Sequence, residues 1–83
     1  MDPEQANDIV LEEYYRARKK FKPFNSGHEG YAVILEELEE LWDEIKADNR
    51  AKAHKEAIQL AAMALAYVIE VKNADYSQRT SNA

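Results

Sequence analysis

Three glutamates and a glutamine, set as two pairs three residues apart, are the side chains of this chain best placed to do chemistry: Glu37 with Glu40, and Glu56 with Gln59. On a helix, two residues at that spacing leave the backbone in nearly the same direction. Glu36 stands beside the first pair. Carboxylates gathered at one point repel one another and attract a hard divalent cation. Mg²⁺, or Mn²⁺ in its stead, takes oxygen ligands and keeps waters that a phosphate displaces. Zn²⁺ suits the chain less well, because there is no cysteine and the two histidines, His28 and His54, are far apart. The pairs lie in or near a wider acidic run. Seven of the thirteen residues from Glu36 to Asp48 are acidic and only Lys46 is basic, about six net negative charges against a formal −5 for the whole chain. The plain alternative is a solvated acidic face.

The pairs meet only if the elements that carry them do. Asp2-Pro3-Glu4-Gln5 offers an N-cap, a proline in the first turn and a capping-box Gln. It predicts a helix over about residues 3–20, with Val10, Tyr14, Ala17 and Phe21 as its apolar stripe. The link Phe21–Asn25 is apolar as well as basic and is expected to fold onto the core. Ser26 and Glu29 read as a second capping box, opening a helix over about 26–47. Its expected core face is Ile34, Leu38, Leu41 and Ile45, widened by Tyr31, Leu35 and Trp42, with Glu37, Glu40 and Glu44 along one border. Asp48 or Asn49 then caps a third helix over about 49–72. From Ala57 onward that helix is apolar nearly all round, through Ile58, Leu60, Leu65, Val68 and Ile69. Such a helix is buried by more than two neighbours. The expectation is therefore an all-α, three-helix subunit that assembles as a homo-oligomer, dimer or tetramer, into a helical bundle. Residues 1–72 form one domain, and the polar stretch 73–83 is expected to be a loosely ordered tail. Antiparallel pairing across the short turn near Asp48 brings the first motif against the second.

At 83 residues there is room for one small domain. A chain of this length buries only about 60% of its unfolded surface. The absence of cysteine excludes disulfides and thiolate metal sites. The longest apolar run, Ala57–Ile69, is interrupted by Gln59 and is too short to span a bilayer. With no positively charged leader ahead of it, a soluble cytoplasmic protein without a membrane partner is expected. The acidic balance argues against a nucleic acid polymer as ligand. It leaves room for a nucleotide held through a metal.

Glu36-Glu37-Leu38-Glu39-Glu40 resembles the EExxE signature of the MazG-like all-α nucleoside triphosphate pyrophosphohydrolases, and Glu56-Ala57-Ile58-Gln59 falls where that family carries a second signature, ExxD. The similarity covers roughly residues 25–72. The resemblance implies an oligomeric helical bundle that hydrolyses a nucleoside triphosphate to the monophosphate and pyrophosphate with Mg²⁺. It also implies metal-site roles for Glu36, Glu37, Glu40 and Glu56. Glu37, Glu40 and Glu56 are expected as direct ligands, and Glu36 as the residue that orients or deprotonates the attacking water. Gln59 departs from the pattern: an amide still ligates a cation but brings no charge and cannot act as a base. It is expected either to weaken the site, to face the nucleotide, or to mark lost activity. The rival from another class is a non-catalytic helical oligomerisation module. A two-metal diphosphatase preferring dUTP fits less well, because the site is one carboxylate short.

Other residues are secondary. His28 and Asn25, at the start of the second helix, are candidates for contact with base or phosphates, as against a plain capping turn. Lys55, like Lys52, lies near Glu56 and could reach phosphates. Arg16, Arg18, Lys19, Lys20 and Lys22 gather where the first helix ends. They either complement that helix terminus or clamp phosphates over the acidic site. Tyr67 is a candidate for lining a base pocket. Tyr14, Tyr15, Trp42 and Met63 fall at core spacing.

Overall fold

Each helix starts where a side chain takes up its free amides. In the computed structural model, which describes residues 1–72, these are α1 (Pro3–Lys20), α2 (Gly27–Lys46) and α3 (Arg50–Glu70), with no strand among the described residues. The expectation about residues 73–83 lies outside the described residues. At α1 the capping box is complete: the Gln5 N–H donates to Asp2 Oδ1 at 2.8 Å and the Asp2 N–H to Gln5 Oε1 at 2.9 Å. At α2 the Glu29 N–H donates to Ser26 Oγ. The Glu29 carboxylate, however, reaches past the cap and accepts from both the backbone and the side-chain amide of Asn25. At α3 the cap is Asn49, whose Oδ1 accepts from the Lys52 N–H.

Between α2 and α3 the chain reverses in three residues. Asp48 adopts φ 55°, its N–H donates to the Ile45 carbonyl, and the Asn49 N–H donates to the Glu44 carbonyl. This pair of bonds closes a helix with a left-handed residue, a position usually held by glycine. The third helix ends at Glu70, two residues before its expected limit. Val71 is extended there, and the Glu70 side chain is tied to α1 and to the link.

α3 packs against both other helices, and α1 and α2 do not pack against each other. The buried core is small: Ala17, Phe24, Ala62, Met63 and Ala66, flanked by Val10, Tyr14, Val33, Ile34 and Val71. Two expectations about faces are corrected. Phe21 is 65% exposed, and Phe24 from the link fills the core beneath α1 instead. On α2, Tyr31, Leu38, Trp42 and Ile45 are exposed. The side turned to α3 carries Gly30, Val33, Ile34 and Glu37. Gly30 explains the rotation. A Cβ there would lie 2.7 Å from Tyr67 Cδ2, so the absence of a side chain lets α2 sit against the Tyr67 ring of α3. Tyr15 is exposed as well, whereas Met63 is buried as expected.

Candidate functional site

The close approach at Gly30 turns the acidic border of α2 toward α3. One carboxylate oxygen each from Glu37, Glu40 and Glu56 lies within 4.8 Å of the others, and all three side chains are half-buried. Opposite ligands in an octahedron around Mg²⁺ at about 2.1 Å are separated by about 4.2 Å. The oxygens thus stand close enough together for one hard cation to be shared among them. The donor set, three anionic oxygens and no nitrogen or sulfur, fits Mg²⁺ or Mn²⁺.

Crowding leaves a mark on protonation. The Glu37 carboxyl is pushed up to about 7, first by burial and then by the charges of Glu40, Glu56 and Glu36 and a hydrogen bond with Glu56. Glu40 is raised too, by burial and by its hydrogen bond with Glu56 and that residue's charge. Three carboxylates pressed together in this way hold a proton near neutrality unless a cation replaces it.

Gln59, one turn beyond Glu56, joins the cluster as a donor. With its amide oriented as its neighbours demand, the nitrogen lies 3.0 Å from Glu56 Oε2 and 3.2 Å from Glu37 Oε2. The amide therefore ties a carboxylate of α2 to one of α3. Further along α2, Glu44 Oε2 is buried without a hydrogen-bond partner. The acidic border of this helix is thus sunk into the fold beyond the three clustered residues.

Beside the cluster opens a cleft of about 490 Å³, lined by Glu36, Glu37, Glu29 and Gln59 from α2 and α3, and by Glu13, Arg16, Arg18, Lys20, Phe21 and Lys22 from α1 and the link. Phe24, Val33 and Met63 lie between. The volume is within the range of small-molecule sites. Glu36 is exposed at the rim. Of the cations in the lining, Arg16 is engaged by Glu13 at 2.7 Å. Lys20 and Lys22 are exposed and form no ion pair among the described residues.

The structure does not bring every candidate to this cleft. Glu40 and Glu56 join Glu37 in the cluster but do not line the cleft, and His28, Asn25 and Lys55 are exposed and do not line it either, with Asn25 occupied by Glu29. Tyr67 lies over Gly27 and Gly30, also outside the lining. The reverse omission is Glu70 with Arg18. Glu70 accepts from Arg18 Nη2 at 2.8 Å, from Arg18 Nε, from the Tyr14 hydroxyl at 3.0 Å and from the Phe24 N–H at 3.0 Å. Burial works against its charge, but the Arg18, Phe24 and Tyr14 hydrogen bonds outweigh burial and hold the carboxyl below its ordinary range. A signal was present: Glu70 is the one acidic residue from Ala57 to Lys72, at a helix C-terminus where the dipole disfavours it. Such a residue calls for a cation.

No helix among the described residues is long and apolar enough to cross a membrane. No protein-family model, curated protein or solved structure gives a significant match to this chain.

Proposed function

We propose that the chain is a Mg²⁺-dependent nucleotide pyrophosphohydrolase of the cytoplasm, which splits a ribo- or deoxyribonucleoside triphosphate into the monophosphate and pyrophosphate. The observation that carries this reading is the convergence of Glu37 and Glu40 from α2 with Glu56 from α3, where Glu37 borders a cleft that the unpaired Lys20 and Lys22 also line. The resemblance of the paired motifs to the MazG-like enzymes supports it.

Glu37, Glu40 and Glu56 would hold Mg²⁺, or Mn²⁺ in its place. When bound, the ion would neutralise phosphate charge. The chain's own groups do the rest. Glu36, exposed beside Glu37, accepts the proton of the attacking water. The water oxygen bonds to the α-phosphorus, the α–β phosphoanhydride bond breaks, and pyrophosphate leaves with the bonding pair. Gln59 fixes Glu37 and Glu56 relative to each other. Phe24, Val33 and Met63 present an apolar floor to the nucleoside. His28, Asn25 and Lys55 have no role in this reading. A second copy of the chain would cover the open face of α2, where Leu38, Trp42 and Ile45 are 48%, 55% and 51% exposed.

One observation favours the non-catalytic module instead: the Gln59 amide satisfies two of the carboxylates without any ion. Pyrophosphate release from a panel of nucleoside triphosphates separates the two. Release that needs Mg²⁺, stops with EDTA and falls at least about a hundredfold in Glu37→Gln is the expected result. A well-folded protein that releases none from any nucleotide would decide for the module.

A further inference from the structure

The chain between α1 and α2 has little backbone bonding of its own. The Phe24 N–H donates not to a carbonyl but to the Glu70 carboxylate, 46 residues away. The same carboxylate takes two bonds from Arg18, whose Nη1 donates to the Phe21 carbonyl at 3.2 Å. The Arg18 guanidinium also lies over the rings of Tyr14 and Phe24, at 5.6 and 5.3 Å from their centroids. The link is thus held at Phe21 and Phe24 by one ion pair whose side chains are 14% and 7% exposed. Because α1 and α2 do not pack together, that pair anchors the α1 side of the link, while Glu29 holds Asn25 at its α2 side. Lys22 sits within the held segment, and Lys20 immediately before it.

We infer that Arg18 and Glu70 are positioning residues, which set Lys20 and Lys22 as a subsite for the pyrophosphate end of a polyphosphate ligand. The inference rests on the nucleotide reading above for its substrate class. The two lysines are exposed, form no ion pair among the described residues, and line the same cleft as Glu36 and Glu37, whose volume admits a triphosphate. The carboxylates alone would repel the polyphosphate, and the two lysines in the same cleft offset that repulsion at the end that departs.

Inorganic pyrophosphate is the probe, titrated calorimetrically in the presence of Mg²⁺, with Mn²⁺ binding measured separately. In Lys20→Ala/Lys22→Ala, both changes on exposed side chains, pyrophosphate affinity is expected to fall about tenfold or more while Mn²⁺ affinity stays unchanged. Glu70→Gln and Arg18→Lys, which keep size but lose the charged fork, are expected to weaken pyrophosphate in the same sense. They should raise KM more than they lower kcat. Unchanged pyrophosphate affinity in the folded double-lysine variant overturns the subsite. So does a parent protein that binds no pyrophosphate. Weakening in the lysine variant with none in folded Glu70→Gln and Arg18→Lys overturns the positioning role. If the parent binds pyrophosphate through the lysines yet hydrolyses no nucleotide, the subsite stands and the catalytic reading falls.

Discussion

A carboxyl that titrates near neutrality makes the acidic cluster sensitive to pH in two measurable ways. Glu37 stands at about 7 in the folded protein against an ordinary 4.5. A cation must displace its proton, so Mg²⁺ affinity should fall about tenfold per pH unit below 7, as calorimetry in matched buffers will show. Stability follows from the same group. Between 4.5 and 7 the metal-free folded state binds more protons than the unfolded chain, so stability falls as pH rises through that window. Glu70 acts in the opposite sense. Its pKa is lowered on folding, so its stabilisation is complete above 4.5 and is lost as pH falls below. Thermal melts in EDTA should therefore give a maximum near pH 4.5, with a decline toward neutrality that saturating Mg²⁺ abolishes. The trio itself was legible in sequence, because i, i+3 spacing on two helices joined by a short turn leaves little choice of where the side chains go. The Arg18–Glu70 pair was not. Its partners lie 52 residues apart, and no periodicity links them.

At the level of elements, the three helices were readable from caps: Asp2, Ser26 and Asn49 each receive the amide expected of them. What the pattern could not tell was how α2 is rotated. Apolar spacing marked Leu38 and Ile45 as inward, but the close fit of Gly30 under Tyr67 and Phe24 turned them out. Gly30→Ala tests that fit. A methyl in a helix interior ordinarily stabilises by about 1 kcal/mol, yet here it meets ring atoms at 2.7 and 3.2 Å. Overpacking should outweigh the gain and leave a net loss of about 1–2 kcal/mol. The connecting turn predicts the reverse sign. Asp48 carries a left-handed backbone with a Cβ, and Asp48→Gly should stabilise by about 1 kcal/mol. Denaturant titrations of the two variants check both.

Across the whole molecule the balance of buried and open surface is unusual for a subunit that stands alone. Five buried residues make the core, while Tyr31, Leu38, Trp42 and Ile45 on α2 and Val68 and Ile69 on α3 are exposed. In the proposed homo-oligomer this apolar surface is the face that a second copy would cover. Sedimentation equilibrium should give a mass at least twice that of the 9.6 kDa chain. Trp42→Glu, which places a charge on the open face without touching the carboxylate cluster, should shift the protein toward the monomer. A parent protein that stays monomeric at high concentration would remove the homo-oligomer from the proposal.

The absence of packing between α1 and α2 also orders the events of folding. α2, the Asp48 turn and α3 are contiguous in sequence and form the larger of the two interfaces, so they can assemble as a hairpin with short loop closure. α1 has only α3 to dock on, and its attachment is completed by Arg18 meeting the last residue of that helix. The Arg18–Glu70 contact is expected to form after the rate-limiting step. Glu70→Gln should therefore accelerate unfolding and leave the refolding rate nearly unchanged. Amide protons of α1 should exchange through a local opening that leaves α2 and α3 protected. The helix that brings Arg16, Arg18 and Lys20 to the cleft is thus also the first to let go.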